Sequence, residues 1–525
     1  MSHKSTTHSL NQKGRVVKGE LAFICPGNGE TFGRVAVSSE DDIRNAVRDL
    51  KAARKGWSNK PLKKRIRALR QLYRLIFQEI DAITLVITRD TGKPRQDALI
   101  EVFTVLNYLN TSLKKAPLWL RDEQVSTGLQ LFKHAYKKHK PYGLVAVISP
   151  WNYPFTLAMN PILAALIAGN TVAVKASEVT PAVGVMMASL FERIPELADK
   201  VRFIHGDGKA GAQLVNAQPD LIYVTGSVQT GERISQAAAK TLTPVICELG
   251  GKDPMLVLDD ADVNAAARWG CWGAFSNSGQ TCMSPERVYV MADAYDAFVD
   301  AAVREAKSLK VGYSEAMDAK NHYGSITSPK QLEIVKRHVA DALEKGATLL
   351  CGGDHDGMLW QPTVMTDISD DMLLMKEETF GAIMPIIKVQ NELEAITRAN
   401  DSEFGLSASV FSENASRARR VAEALEVGSV NINDTMSHYG IAELPFGGVK
   451  KSGSGRANGP EAILEFTYPV SYVYGKPSTQ DIATKLRAPG NYTGTKAALQ
   501  AMIGPSLRQK TKGVMAMLKS GKKSR

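Results

Sequence analysis

The segment that decides the fold is LVAVISPWNYPFTLAMNPILAALIAGNTVAVKASE, residues 144–178. Its two apolar runs, LVAVIS and TVAVKA, are short and rich in β-branched residues, which is typical of buried parallel strands. Between them, TLAMNPILAALIA has the length and apolar content of a buried helix. The segment therefore predicts two parallel strands joined by a helical crossover.

The alternation continues along the chain. The next elements are a helix over PAVGVMMASLFERI, a strand VRFIHG, a helix KAGAQLVNA and a strand LIYVT. This order predicts an α/β fold with a doubly wound nucleotide-binding layout, in which ligands lie at the carboxyl ends of the strands. A second α/β series begins near Pro254 with PMLVL, where we expect a second domain.

Composition limits the possible functions. The chain has 525 residues and a formal net charge of +11, but the part from Asp481 onward holds ten Lys or Arg and one Asp. The rest is thus close to neutral, and we expect no nucleic-acid partner. Five cysteines without a CxxC pair argue against a disulfide framework or a metal site, and the polar start has no signal core. We expect a cytoplasmic protein.

One cysteine has an unusual setting. In FSNSGQTCMSPERVYV, residues 275–290, Cys282 follows small and polar residues and precedes an apparent strand. The thiol is either a small packing residue in a loop or a nucleophile held on a tight turn.

Two further polar residues follow strands. Glu248 in CELGGKDP precedes two glycines and is a candidate general base, while Asn152 in SPWNYPF is a candidate donor to an oxyanion. Each has an ordinary alternative, because Glu and Asn are also common turn residues.

Three turns compete as dinucleotide sites. GDGKAG, residues 206–211, fits the G-x-G-x-x-G pattern through Gly208, but no acidic residue follows at the expected distance, and we favour an ordinary glycine-rich turn. VTGSVQTG places Gly226 and Ser227 at a helix start that suits a pyrophosphate. VKASE places Lys175, Ser177 and Glu178 after a strand, where a carboxylate can accept from ribose hydroxyls.

These motifs together resemble the NAD(P)-dependent aldehyde dehydrogenase superfamily. Further matches are KEETFGAIMPI at 376–386, ANDSEFGLSASVFS at 399–412 and LPFGGVKKSGSGR at 444–456, and the resemblance covers roughly residues 20–475 in consistent order. It departs at Ala176 and Ala382, where the family commonly has proline.

The resemblance implies catalytic roles. Cys282 attacks the aldehyde, Asn152 and the Cys282 backbone N–H hold the oxyanion, and Glu248 activates the water that hydrolyses the thioester. The cofactor is NAD, with NADP possible and no metal. The residues implied to contact it are Trp151, Lys175, Ser177, Glu178, Gly208, Gly226, Ser227, Glu378 and Phe380.

The resemblance also implies an architecture. It divides the chain into an NAD-binding domain (1–128 and 144–249), a catalytic domain (250–455) and a small β oligomerisation element (129–143 and 456–478). A basic C-terminal tail (479–525) follows these parts. We expect a homodimer or homotetramer.

The resemblance implies that the substrate is a small-molecule aldehyde. Tyr153, Phe155, Leu157, Met283 and the loop 435–444 are mostly apolar, which favours a hydrophobic aldehyde. The alternatives are a CoA-acylating or semialdehyde-specific dehydrogenase, or a non-catalytic scaffold. Glu248 speaks against the first of these, and the absence of an arginine in these segments speaks against the second.

The tail, residues 479–525, lies beyond the resemblance. It contains two short amphipathic helical stretches split by Gly504 and Pro505, with lysines around their apolar faces. This pattern indicates peripheral contact with an anionic membrane, and the alternative is a tail that packs on a partner subunit or stays disordered.

Overall fold

The computed structural model describes residues 9–128, 130, 133–475, 489–490 and 492–521, with backbone only for 519–521. The chain forms two compact units. The larger consists of Met1–Trp119 and Pro141–Tyr468, and the smaller of Leu120–Lys140 and Pro469–Arg525.

The larger unit begins with an antiparallel sheet and four helices. Its strands are β1 (Val16–Val17), β2 (Glu20–Ile24) and β3 (Thr31–Ala36). The helices are α1 (Glu40–Ser58), α2 (Leu62–Gln78), α3 (Ile80–Thr91) and α4 (Arg95–Trp119). Ser39 and Asp42 form a capping box at the start of α1, which satisfies backbone N–H groups that the helix leaves free.

A five-stranded parallel sheet follows, as the opening segment predicts. Its elements are β6 (Leu144–Ile148), α5 (Thr156–Ala168), β7 (Thr171–Lys175), α6 (Pro181–Glu192), β8 (Val201–Ile204), α7 (Gly208–Asn216), β9 (Leu221–Thr225), α8 (Val228–Ala239) and β10 (Val245–Glu248). The strand order is β10-β9-β6-β7-β8. The strands β7 and β8 are added on one side of β6, and β9 and β10 on the other, so the order of addition switches sides between β6 and β9. This confirms the doubly wound α/β fold, and the carboxyl ends of all five strands lie at one edge.

A seven-stranded sheet forms the second core. Its order is β13-β16-β17-β12-β11-β19-β20, with only the β13–β16 pair antiparallel. The strands are β11 (Asp253–Val257), β12 (Pro285–Met291), β13 (Thr348–Cys351), β16 (Thr363–Thr366), β17 (Ile383–Val389), β19 (Ser407–Phe411) and β20 (Ser429–Ile432). The two-stranded pairs are β14 (His355–Asp356) with β15 (Leu359–Trp360), and β18 (Phe404–Gly405) with β21 (Val449–Lys450).

Helices accompany this second sheet. They are α9 (Val263–Phe275), α10 (Ala292–Ser308), α11 (Pro329–Glu344), α12 (Leu373–Lys376), α13 (Glu392–Asn400), α14 (Ala415–Glu423) and α15 (Gly459–Leu464). Asp262, Ser328, Asn391 and Asn414 cap the N-termini of α9, α11, α13 and α14 with their side chains.

The smaller unit combines two distant parts of the chain. Its sheet has the order β22-β5-β4, from β4 (Glu123–Val125), β5 (Lys133–Pro141) and β22 (Thr467–Gly475). Two helices of the tail follow, α16 (Tyr492–Ile503) and α17 (Leu507–Gly521). The rest of the predicted tail, 479–488, 491 and 522–525, lies outside the described residues.

The predicted domain boundaries remain predictions, and the two units divide the chain elsewhere. Residues 456–468 fall in the larger unit, and 120–128 in the smaller. The first difference has a physical reason, since Arg456 and Phe466 line the cavity that holds Glu248.

The fold-deciding segment generates a stability prediction at Asn170, which is completely buried between α5 and β7. Its Oδ1 accepts from the Gly143 N–H at 2.8 Å, and its Nδ2 donates to the Ala165 and Phe466 carbonyl oxygens at 3.1 and 2.9 Å. Asn170→Ala leaves buried backbone groups unpaired, so we expect the free energy of unfolding to fall by about 2–4 kcal/mol.

The measurement is denaturant unfolding, with Asn264→Ala as the control because Asn264 is an exposed helical asparagine. Equal stability of the two variants would contradict this account of the strand-to-helix junction.

Candidate active site

Cys282 follows a turn of left-handed backbone. Asn277, Ser278 and Gly279 have φ angles of 55°, 60° and 72°, a region that asparagine and glycine tolerate better than other residues. The Ser278 hydroxyl donates to the Gly324 carbonyl oxygen at 2.8 Å, which fixes the least tolerant of the three. The turn therefore holds the thiol on a rigid, tightly packed loop, as the nucleophile interpretation requires.

Asn152 is bonded to this same turn. Its Nδ2 donates to the Gln280 carbonyl oxygen at 3.1 Å, and Asn277 Nδ2 donates to the Asn152 carbonyl oxygen at 3.0 Å. Gln280 in turn accepts from the Thr327 N–H at 2.8 Å. Because an amide nitrogen carries two hydrogens, Asn152 keeps one N–H for an oxygen bound beside Cys282.

The buried ion pair of Lys93 and Glu101 holds the loop that carries Asn152. Lys93 Nζ lies 2.7 Å from both Glu101 Oε1 and the Asn152 carbonyl oxygen. Glu101 Oε2 accepts from the Phe155 and Thr156 N–H groups at 3.1 and 3.2 Å. Both charged side chains are 1% exposed, so each is fully committed to these contacts. The sequence reasoning missed this pair.

Glu248 reaches the site from the first sheet. It ends β10 opposite Thr225 of β9, and two glycines follow it. A Cβ on Gly250 would lie 2.4 Å from Glu378 Oε2, and one on Gly251 would lie 2.3 Å from the Cys282 carbonyl oxygen. The glycines therefore permit the close approach that CELGGKDP predicts.

The Glu248 carboxyl is poised to take up a proton. It is buried, and neither oxygen has a hydrogen-bond partner among the described residues. Burial raises its pKa well above the usual range, with Arg456 lowering it and Glu465 raising it further. A carboxyl group in this state suits a general base that acts near neutral pH.

The environment favours the protonated form of the Cys282 thiol. Burial raises its pKa, and the carboxylates of Asp253, Glu378 and Glu248 raise it further. Attack by this sulfur therefore requires loss of its proton. The neighbouring Cys247 also has a raised pKa, chiefly from burial, and its sulfur lies 3.7 Å from the Ser235 hydroxyl oxygen.

The predicted nicotinamide contacts lie together. Glu378 Oε1 accepts from the Gly251 N–H at 2.9 Å, and the Trp151 and Phe380 rings meet edge to face at 5.4 Å. Glu286, which the sequence reasoning missed, accepts from the Thr379 and Phe380 N–H groups at 2.8 Å each. Lys252 Nζ holds that carboxylate at 2.6 Å.

The adenosine-side candidates occupy separate strand ends. Ser227 caps α8, and a Cβ on Gly226 would meet no atom within 4 Å, so the helix start is open. Lys175 and Glu178 form an ion pair after β7, beside the buried Ser177. Gly208 begins α7, where Asp207 already accepts from the Lys209 N–H at 2.9 Å. That carboxylate would repel a phosphate, which favours the ordinary-turn interpretation of GDGKAG.

A cavity joins the two catalytic candidates. Its lining includes Cys282, Glu248 and mostly aromatic or aliphatic side chains, namely Tyr108, Leu157, Pro161, Ala164, Tyr223, Leu249, Tyr439, Phe446, Ala462 and Phe466. Leu157 and Tyr439, the latter from the loop 435–444, line this cavity, and their contact with an aldehyde stays a prediction. Tyr153, Phe155 and Met283 are not among the described lining residues, and Phe155 is fully buried in the core.

Three cavity-lining residues that the sequence analysis did not name, Asn160, Pro161 and Ala164, could have been found from their helical spacing relative to Leu157. Leu157, Asn160, Pro161 and Ala164 stand at i, i+3, i+4 and i+7 of α5, so they share one face. In the part of the chain that the structure describes, no group of three or more His, Cys, Asp or Glu is placed to hold a metal ion.

The model of the aldehyde dehydrogenase family matches residues 15–471. The chain is 41% identical over 454 residues to 4,4'-diapolycopene aldehyde oxidase of Methylomonas sp., covering 86% of this chain and 85% of that one.

Solved structures agree with this match. Lactaldehyde dehydrogenase from Escherichia coli superposes with a TM-score of 0.84 at 29% identity, covering 88% of this chain and 98% of that chain. Betaine aldehyde dehydrogenase from Staphylococcus aureus, a point mutant in complex with NAD+, gives a TM-score of 0.83 at 29% identity, with coverage of 88% and 95%.

The electrostatics of the site generate a prediction about thiol reactivity. The pKa of Glu378 is raised to about 8, so above that pH its charge disfavours the Cys282 thiolate. We expect Glu378→Gln to lower the thiol pKa and to speed alkylation of Cys282 by iodoacetamide about threefold or more near pH 9.

Mass spectrometry of the peptide that contains Cys282 gives the rate. Glu377→Gln is the matched control, because Glu377 is an exposed neighbour that pairs with Arg337. Slower alkylation in Glu378→Gln than in this control would refute the charge assignment.

Proposed function

Because the chain belongs to the aldehyde dehydrogenase family, we propose that it oxidises a hydrophobic aldehyde to the carboxylic acid, with NAD as the cofactor and Cys282 as the nucleophile. The observation that carries the proposal is the meeting of three groups from separate elements. Cys282 and Glu248 line one cavity, and Asn152 is bonded to the residue two positions before the thiol.

In the first step the Cys282 thiol gives its proton to solvent, and the resulting thiolate attacks the aldehyde carbon. The carbonyl oxygen gains negative charge as the S–C bond forms, and it needs donors that are already in place. Asn152 Nδ2 and the Cys282 N–H are these donors, and the hydrogen bonds through Asn277 and Gln280 prevent Asn152 from turning away. The product is a thiohemiacetal.

NAD, when bound, supplies the acceptor for the hydride that leaves the thiohemiacetal carbon. The chain's own residues fit such a dinucleotide. The open start of α8 at Gly226 and Ser227 suits its pyrophosphate, and Lys175 and Glu178 suit the adenosine ribose. Glu378 and Phe380, fixed through Glu286, suit the nicotinamide end.

The last step is hydrolysis of the thioester. Glu248 takes a proton from a water molecule, the resulting hydroxide attacks the acyl carbon, and the Cys282 sulfur leaves as a thiolate. The raised pKa of Glu248 matches this task, since a stronger base removes the proton more readily. A CoA-acylating enzyme would need no such base.

The cavity supports a hydrophobic substrate. Its aromatic and aliphatic lining offers apolar surface for an aldehyde chain. Arg456 is the cationic side chain in that lining, but its Nη1 donates to the Gly448 and Gly455 carbonyl oxygens at 2.9 and 2.7 Å. These two bonds occupy Nη1, which leaves fewer donors for a substrate carboxylate, and the apolar lining favours a hydrophobic aldehyde over a semialdehyde.

We also propose a homodimer or homotetramer. In the sheet of the smaller unit, β22 is an edge strand. Val473 and Tyr474 on this strand are 60% and 57% exposed. An edge strand with exposed apolar side chains is a ready surface for pairing with another chain.

Loss of the thiol tests the nucleophile. We expect Cys282→Ala to lose dehydrogenase activity about a thousandfold or more while keeping its fold, because the variant lacks the thiol that lines the cavity beside Glu248. Cys247→Ala is the matched control and should keep most of its activity. An active Cys282→Ala, measured by NADH release with a medium-chain aldehyde, would rule out the assignment.

Loss of the base tests the second half of the reaction. Glu248→Gln should still form the thioester but hydrolyse it slowly. Stopped-flow absorbance should then show a burst of about one NADH per active site, followed by a steady state at least about a hundredfold slower than in the parent enzyme. A normal steady-state rate would remove Glu248 from the mechanism. If added CoA does not restore the steady-state rate of Glu248→Gln, the CoA-acylating alternative is disfavoured.

Cofactor choice is tested at Glu178. Its carboxylate would repel the 2′-phosphate of NADP, so Glu178→Gln should raise the NADP-to-NAD ratio of kcat/KM about tenfold. Glu192→Gln, a change at an exposed helical carboxylate, is the control. A parent enzyme that already prefers NADP would contradict the NAD assignment.

A further inference from the structure

The two tail helices α16 and α17 pack through small residues. Gly513 on α17 is buried against α16, and a Cβ there would lie 2.3 Å from the Ala501 backbone nitrogen and 2.7 Å from the Ala497 carbonyl oxygen. Ala497 is buried at the same contact. Backbones this close require glycine and alanine, as in helix pairs that associate within lipid.

The large apolar side chains of the same helices face outward. The side chains that are more than a third exposed are Tyr492, Leu499, Ile503, Leu507, Val514, Met515, Met517 and Leu518, with Leu507 at 85% and Leu518 at 68%. A helix pair built for water buries such side chains between its helices. This hairpin, Tyr492–Gly521, does the reverse, so its outer surface is the part that gains from leaving water.

Basic residues border the apolar surface. On α17, Leu507, Val514 and Leu518 stand at i, i+7 and i+11, which places them in one stripe. Arg508, Lys510 and Lys512 are exposed, and the chain contains no acidic residue after Asp481. An apolar stripe beside positive charge is the pattern of a helix that lies at the surface of an anionic bilayer.

The length of the helices decides whether the hairpin could span a bilayer or lie on its surface. The 15 residues of α17 extend about 22 Å, less than the roughly 30 Å of a hydrocarbon core. No helix within the described residues is both long enough and apolar enough to cross a membrane.

We propose that the hairpin Tyr492–Gly521 is an interfacial anchor that inserts its outer apolar side chains into a membrane surface rich in anionic lipids. The charge favours lipid over a second copy of this chain as the occupant. Two such hairpins would bring like charges together as their apolar faces met, whereas anionic headgroups neutralise them. The inference does not depend on the reaction proposed for Cys282.

Vesicle co-sedimentation of the full-length chain tests the anchor. We expect binding to phosphatidylcholine vesicles with about 30% phosphatidylserine, weaker binding without phosphatidylserine, and weaker binding at about 1 M than at 0.1 M NaCl. Two variants separate the contributions. Leu507→Glu/Leu518→Glu should weaken binding about a hundredfold, and Arg508→Gln/Lys510→Gln/Lys512→Gln should remove most of the phosphatidylserine dependence.

Matched controls come from exposed residues elsewhere. Leu393→Glu changes a leucine that is 73% exposed, and Lys63→Gln/Lys64→Gln/Arg67→Gln removes three exposed charges from α2. Both should bind like the parent chain. Circular dichroism and size-exclusion chromatography accompany the assay. Equal vesicle binding by hairpin and control variants would overturn the proposal. A hairpin variant that changes the oligomeric state and leaves vesicle binding intact would also overturn it, and would identify the hairpin as a subunit contact.

Discussion

The left-handed turn Asn277–Gly279 is the constraint on which the rest of the site depends. A Cβ on Gly279 would lie 2.2 Å from the Gly381 carbonyl carbon, so the turn can pack there only as glycine. The same turn bonds to Asn152 through Asn277 and leads directly to Cys282. One backbone conformation therefore helps to position the thiol against Asn152 and against the segment that carries Glu378.

This arrangement buries ionisable side chains around the site, and they fall into two groups. Paired groups such as Lys93 and Glu101 hold loops in place through several hydrogen bonds each. Glu248, by contrast, is buried and has no hydrogen-bond partner among the described residues, and its raised pKa suits the base role that we propose for it.

The sequence predicts the parts of this protein that depend on local pattern. The strands and helices of 144–248 follow from hydrophobic runs, and the close approach at Gly250 and Gly251 follows from their place after Glu248. Contacts between distant residues were not predictable in this way. For example, the Glu286 carboxylate accepts a hydrogen bond from the Phe380 backbone N–H. The two residues are 94 positions apart in the sequence, so no local spacing pattern predicts the contact. The helical spacing of apolar residues predicts the two tail helices. It does not predict that small residues would pack between the helices while the large apolar side chains face outward, as the contact of Gly513 with Ala501 shows.

In the reaction that we propose, Cys282 carries the acyl group during aldehyde oxidation. Mass spectrometry of Glu248→Gln, quenched in acid after mixing with NAD and a medium-chain aldehyde, tests it most directly. The account predicts a mass increase equal to one acyl group, located on the peptide that contains Cys282 and removed by hydroxylamine. An unmodified protein after NADH has formed, or an acyl group on a different cysteine, would contradict it.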